Sequence, residues 1–154
     1  MDIKQEVKRL KDNRLLSDKE EIINFEEAMD NILNVEELTL ISDLILGFDD
    51  NTQDDEVMFG LIHAIESFDE IFPPKETLRV FAESIEKMFP HAKEWAKIFH
   101  KRILNHKPSY DTYIKIISEI DIKKKKLVIG LLKEIIKEDP EVFDESINQF
   151  LNRI

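Results

Sequence analysis

Apolar residues recur every three or four positions along most of this chain. Ile22, Phe25, Met29 and Ile32 set the pattern, Leu38, Ile41 and Ile45 repeat it with Leu44 alongside, and Leu78, Phe81, Ala82, Ile85 and Phe89 repeat it again. That is the period at which an α-helix buries one face, and the β-branched runs that would mark strands are missing. The spacing predicts helices over Asp2–Arg14, from the capping-box pair Ser17 and Glu20, and over Val35–Leu46 with Gly47 as its C-cap. Further helices are expected over Asp54–Phe68, Lys75–Phe89, His91–Asn105, Ser109–Ile120, Lys123–Lys137 and Pro140–Asn152. Short connections pack sequential helices antiparallel. With 154 residues, 42% of them apolar, the expectation is one all-α domain over residues 1–154, a bundle or short solenoid of antiparallel helical hairpins.

A faint internal echo accompanies this pattern. VMFGLIHAIESFD at Val57–Asp69 resembles LVIGLLKEIIKED at Leu127–Asp139, an offset of 70 residues that sets Gly60 over Gly130. Two hairpin repeats of about 35 residues would produce such an offset. The competing reading, that each helix needs a small residue where a neighbour crosses closely, is favoured, because only four of 13 positions are identical.

Charge narrows the partners. The net charge is −11, and the segment Glu20–Pro74 holds 16 Asp and Glu with no Lys or Arg. Local pairing can balance little of that, so the segment presents a negative face unless lysines from elsewhere meet it. Nucleic acid and anionic membranes are poor partners for such a surface, whereas a basic protein surface is a good one. The chain has no cysteine, which removes disulfides and thiolate metal sites. Its N-terminus, MDIKQEVKRLKDNRLL, is charged throughout, and no window reaches the ~18 apolar residues of a membrane span. A cytoplasmic location is expected.

One stretch, NTQDDEVMFGLIHAIESFD at Asn51–Asp69, sets acids and a histidine within an apolar helix. His63 and Glu66 at i, i+3 could supply two metal ligands, but a usable site needs three or four, and no matching pattern surrounds His91, His100 or His106. A histidine–carboxylate hydrogen bond is expected there, with no metal and no cofactor. In EWAKIFHKRILNH, Glu94–His106, the residues Trp95, Ile98, Phe99, Arg102 and Ile103 share the inward face. An arginine on an apolar stripe needs a carboxylate, and Glu66 or Glu56 can provide it. A buried Arg102–Glu pair with Asn105 capping a helix end is expected. Nucleophile elbows, glycine-rich phosphate loops and cysteine nucleophiles are absent, so the chain reads as non-enzymatic, although a small hydrolase using His63 would require an open pocket around it. Lys123–Lys126 reads as a solvated helix start.

The two motifs DDEVMFGLIHAIESFD, from Asp54, and EWAKIFHKRILN, from Glu94, separated by a proline-marked helix, resemble the bacterial immunity protein 30 family of polymorphic toxin systems. The resemblance implies an all-helical, non-enzymatic cytoplasmic protein that binds and neutralises a cognate secreted toxin domain. It carries over Glu56, Gly60, His63, Glu66, Trp95, Arg102 and Asn105 as motif positions that define the fold. A nuclease with a basic cleft is a suitable toxin for so acidic a protein. From the residues themselves, Asp49, Asp50, Asp54, Asp55 and Glu56 are the expected partner contacts: five acids within eight positions, expected to point to solvent, with Asp55 and Glu56 as helix-capping candidates. The alternative is a helical-repeat scaffold or adaptor binding a cellular protein.

Overall fold

A computed structural model describes all 154 residues, and every regular element in it is helical. The helices are α1 (Ile3–Asp12), α2 (Lys19–Leu33), α3 (Ile41–Leu44), α4 (Asp55–Glu66), α5 (Pro74–Glu83), α6 (Lys93–Leu104), α7 (Lys107–Glu119), α8 (Ile122–Glu138) and α9 (Pro140–Arg153). Short 3-10 turns at Leu38–Leu40, Ile45–Gly47, Ser67–Glu70 and Ile85–Met88 extend or join them.

Local chemistry places most of the boundaries. Asp2 caps α1 by accepting the Lys4 and Gln5 N–H groups, and Asp121 caps α8 through Lys123 and Lys124. Pro74, Pro108 and Pro140 occupy first-turn positions, where a missing N–H costs no hydrogen bond. The expected Ser17–Glu20 capping box is displaced by one residue: Asp18 caps α2, accepting the Glu21 N–H at 2.8 Å, while the Glu21 carboxylate accepts the Ser17 N–H at 2.9 Å.

Val35–Leu46 is not one helix. It breaks into a 3-10 turn, the four-residue α3 and another 3-10 turn, and Leu40, Ile41, Leu44, Ile45, Gly47 and Phe48 are all buried. A segment buried on so many sides has too narrow a solvent face to set a single helical register. Gly47 is no left-handed cap, since no glycine has a positive φ. It is needed for space: a Cβ there would lie 2.9 Å from side-chain carbons of both Leu10 and Leu61. Gly60 and Gly130 behave oppositely. A Cβ at either position meets nothing within 4 Å, so neither marks a close helix crossing.

Thirty-eight buried apolar residues, drawn from all nine helices, form one continuous cluster. α1 and α2 pair antiparallel, tied by Arg9 to Asn24 and Glu27 and by Asn31 to Glu6. Further along, the second neighbour matters as much as the first. Lys93–Glu134 and Lys97–Glu138 bridges run in the same sense along α6 and α8, so those two helices lie parallel, and α5 packs on α7 with Arg79 bridging to Glu119. The C-terminal part therefore stacks like a short helical repeat within the bundle.

Candidate functional site

The acidic loop before α4 is largely engaged by the fold. Asp49 is buried; its carboxylate accepts from Arg14 Nε at 3.1 Å and from the Asn51 N–H at 2.8 Å, while Arg14 also donates to the Leu46 carbonyl. Asp50 is exposed yet accepts the Glu94 and Trp95 N–H groups at 3.1 and 3.2 Å. The N-cap residue of α6 is Ala92, which has no side-chain acceptor, so the unmet first-turn N–H groups of that helix are capped across the fold by Asp50. Asp54 caps α4 through the Val57 N–H at 3.0 Å. The expectation that all five acids point freely to solvent fails for Asp49, and the capping role assigned to Asp55 and Glu56 belongs to Asp54. Asp55 and Glu56, in the first turn of α4, are exposed and make no salt bridge.

The motif residues moved the other way. Arg102 does bind Glu66, and bidentately, with Nε and Nη2 each 2.8 Å from a carboxylate oxygen. Glu66 is accordingly the partner and Glu56 is not. The hydrogen bond to Glu66 raises the Arg102 pKa against the opposing effect of burial. The pair is not interior, because the Arg102 side chain keeps 39% of its exposure and lies over the Phe59 ring at 5.6 Å. His63 is exposed, with Nδ1 3.4 Å from Glu66, and it lines neither the depression beside Glu66 and Arg102 nor the one beside Pro73 and Pro108. Asn105 is exposed at the C-cap of α6. Of the seven motif positions expected to define the fold, only Trp95 is buried, packed between Phe48 and Phe59.

The reason is a rotation of α6. Its buried positions are Trp95, Ala96, Lys97, Phe99, His100, Ile103 and Leu104, which turns Ile98 and Arg102 to the flank. The polar groups that enter the interior are instead His100 and Lys97. His100 Nδ1 lies 2.7 Å from the Ala96 carbonyl and Nε2 lies 2.7 Å from the Tyr113 hydroxyl. Lys97 bridges Glu94 and Glu138, which raise its pKa against the burial that would lower it.

Glu66 and Arg102 stand at one edge of an open cleft of about 370 Å³. Leu78, Phe99 and Ile103 give it an apolar floor, and Asp69, Thr77, Asn105, His106 and Ser109 complete its polar wall. The wall forms where the turn Ser67–Glu70, the start of α5 and the junction of α6 with α7 converge. His106 caps α7: its Nδ1 accepts the Ser109 N–H at 3.3 Å and lies 2.7 Å from the Ser109 hydroxyl. Burial raises the Asp69 carboxyl above its ordinary value, with Glu66 adding to the rise and the neighbouring Thr77 and His106 opposing it. The Thr77 hydroxyl oxygen, buried in α5, nevertheless has no hydrogen-bond partner within normal geometry. Asp69, Thr77 and Ser109 carry no sequence pattern that singles them out; Pro74 and Pro108 mark the starts of α5 and α7 that meet here.

The family model described as Immunity protein 30 matches residues 12–113, which include every residue lining this cleft. Comparison with curated proteins and with solved structures finds no match.

Proposed function

We propose that this chain, which belongs to the immunity protein 30 family, neutralises a cognate secreted toxin domain by binding it through its acidic N-terminal half. The observation that carries this reading is the state of the Glu20–Pro74 acids. Of the sixteen, only Glu27, Asp49 and Glu66 lie within salt-bridge reach of an Arg or Lys, so thirteen charges remain without a basic partner in the fold. A field of that size steers a basic partner and can raise its association rate by ~10–10³-fold. A toxin domain that acts on nucleic acid needs a basic cleft for its own substrate, which makes a nuclease the best-matched target. The contacts fall on exposed carboxylates, Asp55 and Glu56 first; Asp49, Asp50 and Asp54 serve the fold.

No helix is long and apolar enough to cross a membrane. The proposed action is in the cytoplasm of the producing cell, by occlusion and without catalysis. Co-expression with the product of the neighbouring upstream gene tests it. Growth rescue together with co-purification of the two proteins is the expected result. Toxicity unrelieved by the protein, with no complex recovered, would refute it.

A further inference from the structure

We propose that the cleft beside Asp69 receives a single arginine side chain of the protein partner, its guanidinium on Asp69 and Thr77 and its aliphatic stem on Leu78, Phe99 and Ile103. This rests on the toxin-binding reading and specifies one contact within it.

Charge comes first. Of the formally charged side chains lining the cleft, Arg102 has both Glu66 oxygens on its fork, whereas Asp69 has no cation within salt-bridge distance. One carboxylate is thus left for an incoming cation. The second observation is the Thr77 hydroxyl: it is 4% exposed as a residue, lines the cleft beside the Asp69 carboxyl that it helps to hold down, and has no hydrogen-bond partner within normal geometry. Its oxygen is therefore open to a donor that enters the cleft. The Ser109 hydroxyl, 2.7 Å from His106 Nδ1, also lines the cleft.

Acceptors spread over several side chains suit a planar fork of five N–H donors better than the compact ammonium of lysine. The apolar floor fits the methylene stem. Pro73, Pro74 and Pro108 line an adjoining depression of about 300 Å³, and Ile71 stands 51% exposed two residues past Asp69. Such surroundings favour a side chain carried on a polypeptide.

Titration of the full-length, 15N-labelled protein with N-acetylarginine methylamide tests this without the toxin. Saturable shifts are expected at the amides of Asp69 and Thr77 and at the Asn105 side chain, and not with the citrulline or lysine counterparts. Asp69→Asn is expected to weaken the binding roughly tenfold, the loss of one charge-assisted pair, at an unchanged melting temperature. Thr77→Val, which replaces the orphan hydroxyl by a methyl, should also weaken binding while the protein stays at least as stable. Absence of saturable shifts, equal shifts from the lysine or citrulline compound, or shifts centred on α2 would overturn the proposal. Capture of the toxin despite such a result would reject the cleft and leave the toxin reading standing.

Discussion

Single residues in this protein are legible in kind but not in direction. Arg102 could be read as needing a carboxylate, and Glu66 as able to provide it, because a guanidinium on a semi-apolar stripe has few other options. Whether the pair faced inward depended on a rotation of α6 by a fraction of a turn, and that is set by packing of Trp95, Phe99 and Ile103 that the helix alone does not specify. Gly60 illustrates the same limit. It suggested a close helix crossing, yet the space around it is empty. A mid-helix glycine costs ~0.5–1 kcal/mol relative to alanine, so Gly60→Ala is expected to raise the unfolding free energy in urea by about that amount. The same change at Gly47 must displace Leu10 and Leu61 and is expected to destabilise. A loss of stability at Gly60 would mean that its surface is more crowded than the structure has it.

At the level of elements, helical periodicity placed eight of the nine helices and failed where its premise failed. Leu38–Phe48 buries Leu40, Ile41, Leu44, Ile45, Gly47 and Phe48 and leaves only Thr39 exposed, so its polar face is too narrow to set one helical register. Caps supplied from afar were illegible for a different reason: Asp50 serves α6 from 44 residues earlier, a relation that no local motif encodes. The His100–Tyr113 link between α6 and α7 has a measurable consequence. Burial lowers the His100 pKa from 6.5 to about 4, and the hydrogen bond to Ala96 only partly offsets it. The folded state therefore holds the neutral ring, the unfolded chain binds the extra proton below pH 6.5, and this contribution to stability is lost as pH falls from 6.5 towards 4. A fall of ~2 kcal/mol in unfolding free energy between about pH 7 and pH 5 is expected from this group. His91, also lowered by burial and by Arg14, adds in the same direction. His100→Gln should flatten the slope, and an equally steep slope in that variant would remove His100 as its source.

For the whole molecule, the charge imbalance was plain from the sequence, and folding leaves most of it without a basic partner: the thirteen unpaired acids of Glu20–Pro74 are distributed over α2, the Glu36–Asp43 region, Asp50 and Asp54 in the loop before α4, and α4 through the turn at Asp69 and Glu70. What composition could not disclose was which acids the fold itself requires. Reversing Asp49, Asp50 and Asp54 would break the Arg14 pair and two helix caps, so it would report on stability before it reported on binding. Asp55 and Glu56 are the informative positions, their reversal costing the α4 terminus only ~0.3–1 kcal/mol each. The direct measurement is the association rate with the neighbouring-gene toxin across a range of ionic strengths, for the native protein and for Asp55→Lys with Glu56→Lys, both confirmed folded. The native rate should fall steeply with salt, and the double variant should associate more slowly at low salt with a flatter dependence. Identical rates and identical salt slopes would contradict recognition through this acidic surface.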